Sequence, residues 1–439
     1  MNDITAFFAF LKYCLGYKEN MSRVIAGMNW HELYSFASKQ ALLGLCFEGI
    51  ERLGEEYPEE LKRNPIGREL LMTWMGKAQQ IRRQNMKVNA VAGKLFAMQR
   101  VDGMRCCVLK GQGNALMYPN PYSRTPGDID VWIDASRERI MEYAQKKFEL
   151  GDDIRLQHLE TSLDGVPVEL HFFPCSMNNP IYHARLQKWF QRNADLQCSH
   201  IVGLPDEAGD IAIPTTAFNV IYQLTHLYHH FFDEGIGMRQ IIDYFLVVND
   251  FSKNVFLNND LSNPSVSLSK GSSTSHPSPL SSEERDVTAL RCSEPLRYKD
   301  GGPSKVSPDC AEWDRLGVNG DTTSTALDVV QKELKHLGLW KFAGAVMYVL
   351  HEALGLPEEK MIAPMDEKRG KLLLEEILNG GNFGKHFTKY GHFTQQGMAK
   401  KYFLKIWRNM HFVRYFPAEA LSEPIFRTWH FFWRLKHRR

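Results

Sequence analysis

The chain of 439 residues carries 53 Lys and Arg against 51 Asp and Glu, a net charge of +2, with 44% hydrophobic and 24% charged residues. At roughly 150 residues per domain this is enough chain for about three domains and a sizeable core, which excludes a disulfide-stapled miniprotein. Ordinary composition with near-zero charge also excludes an acidic disordered chain and a strongly basic nucleic-acid coat, so any contact with a polyanion must be local. The eight cysteines are scattered, with no CxxC pair and no zinc-type Cys/His spacing, which fits reduced thiols and a cytoplasmic protein. The N-terminal apolar run lacks a basic region before it and a small-residue cleavage site after it, so no signal peptide is expected. No stretch reaches the roughly 18 apolar residues of a membrane span.

From residue 4 to about 100 the apolar residues recur at three- and four-residue spacing, through ITAFFAFLKYCL, HELYSFASKQALLGLCFEGIERL and a long segment ending at MQR. This predicts an all-helical section over 1–100. At Met104 the texture changes to short β-rich runs, RCCVLKG, GDIDVWID and DIRLQHLETSLDGVPVELHFF, with one amphipathic helix, SRERIMEYAQKKFEL, among them. These predict a small α+β unit over 101–212. Helical periodicity then returns over 213–251 and 326–439 as a C-terminal helical domain. Between them, 252–325 is dense in Ser, Pro, Asn, Gly and Asp and has only Phe256, Tyr298 and Trp313 as aromatics. Such a segment buries too little apolar surface to offset its ordering entropy, so a disordered insertion into one helical domain is expected.

The chemistry concentrates in VLKGQGNALMYPNPYSRTPGDIDVWID. Side chains alternate along a strand, so Asp128, Asp130, Trp132 and Asp134 share one face while Ile129, Val131 and Ile133 share the other. Two adjacent carboxylates repel, and a divalent cation is the usual resolution; an exposed strand end with solvated acids is the plainer alternative. The Asp164-Gly165 dipeptide signals a type I′ hairpin, because both positions of that turn need positive φ. With that turn His158 faces His171 and Glu160 faces Glu169, and the alternate residues form an apolar face. Glu169 is then the expected third ligand beside Asp128 and Asp130, with Glu160 the lesser choice. Three carboxylates bridging two metals can clamp the attacking and leaving oxygens of a phosphoryl or nucleotidyl displacement, and Glu169 could also take the acceptor proton. Lys110-Gly111 follows an apolar strand and precedes a short helix, a turn suited to a triphosphate, although it lacks the P-loop spacing. Arg124, four residues before Asp128, is a further phosphate candidate.

As an ordered set, Leu109-Lys110-Gly111, Arg124, Asp128-Ile129-Asp130 and Glu169-Leu170-His171 resemble the bacterial "uncharacterised nucleotidyltransferase" family of the polymerase-β-like nucleotidyltransferase superfamily. The resemblance extends more weakly to His226, His229, the segment GIGMRQIIDYF with Arg239 and Asp243, and GGNFG at Gly380 to Gly384. It implies transfer of a nucleoside monophosphate from an NTP, taken as ATP, to an acceptor, with pyrophosphate leaving. By the same resemblance Asp128 and Asp130 hold both metals, Mg²⁺ or Mn²⁺, and Glu169 holds the catalytic one. Lys110, Gly111, Arg124, His171 and Arg239 are the expected nucleotide and phosphate contacts. The superfamily usually carries a Gly-Ser pair in the phosphate turn, and here it reads Lys110-Gly111-Gln112-Gly113, so Lys110 or backbone amides would have to replace the Ser.

Arg239 and Asp243 stand four apart, the spacing of an ordinary helix-surface ion pair, and His226, His229 and His230 equally suit packed helix positions. The tail from Lys400 to Arg439 interleaves aromatic and basic residues; its aromatics are expected to pack on the catalytic unit, with nucleic acid not expected as a partner. The whole reads as an α+β protein, a small mixed nucleotidyltransferase sheet between two helical sections. The acceptor is a hydroxyl of a small molecule or a protein. Two alternatives stand beside it. One is a glycosyltransferase using the Asp-x-Asp, which would need a parallel sheet upstream of the motif; the other is an inactive interaction protein retaining the fold.

Overall fold

The computed structural model describes residues 3–150, 155–261, 325–386 and 398–437. It is mostly helical, with one four-stranded mixed sheet and one two-stranded sheet. Six helices precede the first strand: α1 (Asp3–Cys14), α2 (Ser22–Ala26), α3 (Trp30–Lys39), α4 (Leu43–Glu56), α5 (Pro58–Arg63) and α6 (Arg68–Val101). Among the described residues no strand precedes Cys106, so the upstream parallel sheet that glycosyl transfer would need is not there. Then come β1 (Cys106–Val108), α7 (Gln112–Ala115), β2 (Ile129–Ile133), α8 (Arg137–Lys147), β3 (His158–Leu163), β4 (Val166–His171), α9 (Pro180–Ser199), β5 (Ile201–Gly203) and β6 (Asp210–Ala212). The remaining helices are α10 (Thr216–Asp233), α11 (Met238–Leu261), α12 (Ala326–His336), α13 (Trp340–Leu354), α14 (Glu367–Gly380), α15 (Met398–Met410) and α16 (Pro417–His437).

The large sheet runs β1-β2-β4-β3; β2 is antiparallel to β1 and parallel to β4, and β3 is antiparallel to β4. The β3–β4 hairpin has the predicted register, His158 opposite His171 and Glu160 opposite Glu169. Its turn residues have positive φ, 50° at Asp164 and 72° at Gly165, as a type I′ turn requires. Because the pleat alternates, one face of the sheet is apolar: Cys106, Val108, Ile129, Val131, Ile133, Leu159, Val168 and Leu170 pack in one core with Val88, Val91, Leu95 and Phe96 of α6 and Ile140 of α8. The C-terminal half of the long α6 therefore underlies the sheet. The other face carries Cys107 and Trp132 into the larger helical core, where Trp132 stacks on Phe218 with centroids 6.1 Å apart and planes 9° apart. Burying an aromatic of this size stabilises by about 1.5–3 kcal/mol and anchors this face of the sheet to the helical core.

The first ten residues of the insertion expected over 252–325 are helical instead. Helix α11 continues to Leu261 because Phe251 and Ser252 are buried, Val255 packs on the core and Ser252 Oγ donates to Lys360 O at 3.2 Å. Thr325 opens α12 with a reciprocal capping box to Asp328. Residues 262–324, the rest of the expected insertion, lie outside the described residues. The tail corrects a second expectation. Phe412 and Phe416 are buried, the former 4.6 Å from Phe231 between centroids, but Phe403, Trp407, Trp429, Phe431 and Phe432 are exposed. Two amphipathic helices have only one buried stripe each, and these aromatics fall outside it. Among the described residues, no helix is long and apolar enough to cross a membrane.

Candidate active site

The loop from Tyr118 to Asp128 is fixed before the acids are reached. The buried Asn85 side chain of α6 donates to Tyr122 O at 3.0 Å and Arg124 O at 2.8 Å, and Thr125 Oγ1 donates to Ala41 O at 2.7 Å. At Gly44 a Cβ would stand 2.3 Å from Ser123 O, so only glycine admits the loop there. The loop delivers Asp128 to the start of β2. Parallel pairing then sets Asp130 beside Glu169 and Trp132 beside His171.

Asp128, Asp130 and Glu169 converge, with one carboxylate oxygen from each lying within 4.8 Å of the others. Asp130 is 2% exposed; its Oδ1 accepts from Lys110 Nζ at 3.1 Å and lies 3.1 Å from His171 Nε2, whereas its buried Oδ2 has no hydrogen-bond partner among the described residues. An unpaired buried carboxylate oxygen is costly, and an all-oxygen cluster around it suits a hard divalent cation, so these residues fit the metal the sequence implied. The charges say the same. The Asp130 carboxylate, with burial, pushes the Asp128 carboxyl up to about 6. For Asp130 itself burial works upward, but Lys110 and His171 outweigh it and hold the carboxyl well below its usual range. Burial also works upward on Glu169, and the hydrogen bond from His171 reverses it. Burial would depress His171, yet its bonds to Asp130 and Glu169 raise it to about 9. Two cations, Lys110 and His171, thus stand among three acids.

Several expected phosphate contacts are placed differently. Arg124 is 3% exposed and gives its fork to Asp243, Nε to Oδ1 at 2.9 Å and Nη2 to Oδ2 at 2.8 Å. Tyr118 OH donates to the same carboxylate at 2.8 Å. Arg124 is therefore committed to a buried bidentate pair that ties the loop to α11, and is no free phosphate ligand. The i, i+4 pair of Arg239 with Asp243 does not form, because a closer fork takes the acid. Arg239 instead makes no ion pair or hydrogen bond among the described residues; its buried Nε is unpartnered and its guanidinium carbon lies 5.4 Å from the Phe383 ring centroid. Burial and the nearby Arg124 charge push its guanidinium down, and Asp128 is among the charges it feels. Phe383 belongs to the GGNFG segment, which packs close enough on α11 that a Cβ at Gly237 would stand 2.7 Å from Asn382 Cα.

Lys110 occupies the acid cluster directly. Besides Asp130 it meets His226 Nε2 at 3.0 Å. Burial and the Lys110 charge hold His226 well below the ordinary imidazole range, so it is neutral and accepts from the ammonium. His226 is thus the partner of Lys110 across 116 residues, a contact no spacing rule signals. Gly111 takes φ 61°, which lets the chain turn from β1 into α7 beside Asp128 O. His171, expected as a nucleotide contact, is 3% exposed and bridges Asp130 and Glu169 at 3.1 and 3.2 Å, so it positions the acids. Glu160, the lesser third-ligand choice, pairs with Arg155 at 2.6 Å on the outer strand.

Residues 26–262, just over half of the chain and including every residue of this cluster, match the family described as uncharacterised nucleotidyltransferase. No curated protein matches the chain. No solved structure matches it either. A carboxylate triad on two parallel-paired strands, reached by an independent match over the same segment, leads to one assignment: the chain belongs to the uncharacterised nucleotidyltransferase family.

Proposed function

We propose that the protein transfers a nucleoside monophosphate from an NTP, with ATP as the nucleotide, to an acceptor hydroxyl on a small molecule or protein. Nucleotidyl transfer in general is what family membership carries; the roles below are inferred from the site. The observation that carries them is the convergence of three carboxylates, one of which, Asp130, has a buried Oδ2 with no hydrogen-bond partner among the described residues. Asp128, Asp130 and Glu169 would hold Mg²⁺ or Mn²⁺, which when bound lowers the acceptor's pKa and offsets charge on the phosphates.

This chain's own residues do the rest. Arg239, a largely buried cation with no anion of its own, binds the phosphate chain, filling the place left by the missing Ser of the phosphate turn. Lys110 neutralises Asp130 in the resting site and moves to the phosphates when the nucleotide enters. His171 keeps Asp130 and Glu169 in register. The acceptor oxygen bonds to the α-phosphorus, the bond from that phosphorus to pyrophosphate breaks, and the acceptor proton goes to Glu169. The free thiols among the described cysteines agree with a cytoplasmic setting.

The test incubates the protein with each α-labelled NTP, Mg²⁺ or Mn²⁺ and a cell extract, beside Asp128→Ala/Asp130→Ala. Transfer confined to the wild type is expected. Transfer that persists in the double variant overturns the mechanism.

A further inference from the structure

A second concave site adjoins the carboxylates on the side away from Lys110. It is a cavity of about 160 Å³ between the start of β3, the loop into α9, α10 and α16, lined by His158, Ser176, Asn178, His229, Glu423 and Phe426 among others. Of these, His158 is the residue that also touches the acid cluster. The His158 ring is 5.0 Å from that of His171, and its Nδ1 is 3.3 Å from Glu169 Oε2.

The charges around the cavity cancel within the protein. Asp233 meets Lys405 and Arg427, each at 3.0 Å; Arg427 also pairs with Glu423, and Arg155 with Glu160. What remains is hydrogen-bonding capacity without net charge: among the described residues Nε2 of His158, Nδ1 of His229 and Oε2 of Glu423 have no hydrogen-bond partner, and Nδ1 of His158 meets only Glu169. His158 is 8% exposed and Glu423 1% exposed. Unsatisfied groups this deeply buried are costly, and several on one small cavity call for a ligand that supplies both donors and acceptors. Phe426 adds a flat ring, stacked on His430 at 5.8 Å with planes 16° apart. A carboxylate oxygen, imidazoles and an amide beside an aromatic face suit a molecule with several hydroxyls and a C–H face. The volume falls below the roughly 300–1,000 Å³ of pockets for drug-sized ligands, which limits the occupant to one ring or a short chain.

Position completes the case. In the order β1-β2-β4-β3, Lys110 leaves β1 and His158 opens β3, so the two flank the Asp130–Glu169 pair from opposite edges. In-line displacement needs its entering and leaving oxygens on opposite sides of phosphorus. Building on the nucleotidyl-transfer reading of the carboxylate site, we propose that this cavity is the acceptor subsite and that the acceptor is a small, uncharged polyhydroxylated molecule of the sugar or alditol class.

The experiment uses the full chain with Mg²⁺ and each of the four α-labelled NTPs. The acceptors are glucose, N-acetylglucosamine, ribitol, glycerol or myo-inositol, with a seryl peptide in a parallel arm. Labelling of at least one polyol is expected, with its KM raised tenfold or more by Glu423→Gln and by Phe426→Ala. Metal-dependent NTP binding, measured by calorimetry, stays within twofold in both variants. Phe426→Ala keeps the test decisive if Glu423→Gln does not fold. No labelled polyol, label on the peptide alone, or a polyol KM that neither variant moves would overturn the proposal. Failure of the underlying reading looks different: NTP binding is then absent, or is unchanged by Asp130→Asn.

Discussion

Asp130 and Glu169 are register partners on the parallel strands β2 and β4, and one imidazole, His171, reaches both, 3.1 Å from Asp130 Oδ1 and 3.2 Å from Glu169 Oε2. Two acids brought side by side by backbone pairing are thus held apart and aimed by a third side chain on the same face. Groups that orient metal-binding carboxylates typically matter by about 10–100-fold. His171→Ala is expected to lower kcat by about that factor while NTP affinity changes only a few-fold. Steady-state kinetics check it, and a KM effect with kcat intact would assign His171 to nucleotide contact instead.

Arg239 makes the opposite kind of prediction. It makes no ion pair among the described residues, so its removal relieves a desolvated cation and, on the proposed function, withdraws a phosphate ligand together. Arg239→Gln should raise the NTP KM tenfold or more, about 1.4 kcal/mol, without lowering Tm. Loss of stability with an unchanged KM would show a structural role.

The Arg124–Asp243 pair is a structural tie. Removing one partner of a buried, bidentate pair costs about 3–5 kcal/mol, and Asp243→Asn should lose that much in urea denaturation. The pair also sets a pH dependence. Burial would raise Asp243, but Arg124 outweighs it and holds the carboxyl below its ordinary range. The unfolded chain therefore binds that proton more readily. The contribution is fully present above the unfolded value of about 3.9 and is lost as the pH falls through the lower folded value. The urea midpoint of the wild type should fall on acidification below about pH 4, and Asp243→Asn should remove that component. Equal acid sensitivity in both proteins would contradict it.

The hairpin turn offers a backbone test. Gly165 takes φ 72°, a region that costs a residue with a Cβ about 1–2 kcal/mol, so Gly165→Ala should lose that much in denaturant unfolding. Asp164→Asn retains the turn preference and gives up only an exposed pair with Lys94, and should cost less than about 1 kcal/mol.

How far these features could be foreseen depended on whether their physics is local. The β3–β4 register follows from Asp164-Gly165 and strict alternation, which set Glu169 opposite Glu160. The Asp-Ile-Asp strand was equally legible, since period-two alternation needs no distant information. The pairing of Arg124 is not legible, because its partner Asp243 is 119 residues away and no periodicity links them. The i, i+4 rule pointed Asp243 at Arg239, and a buried bidentate fork overrode a weak surface preference. Lys110–His226 was invisible for the same reason. In the tail, composition showed amphipathic aromatic helices but not which stripe tertiary packing would cover, and Trp407 and Phe432 stayed outside it.

Stoichiometry decides whether Asp128, Asp130 and Glu169 form a metal-dependent nucleotidyl-transfer site. The protein is given one NTP labelled at the α-phosphate and, in parallel, at the γ-phosphate, with Mg²⁺ and acceptor; incorporated label and released pyrophosphate are then counted. α-Label should be incorporated one-for-one with pyrophosphate, with no γ-label in the acceptor and loss of both signals by at least about 100-fold in Asp130→Asn. Incorporation of γ-label, or turnover that survives Asp130→Asn, would contradict that assignment.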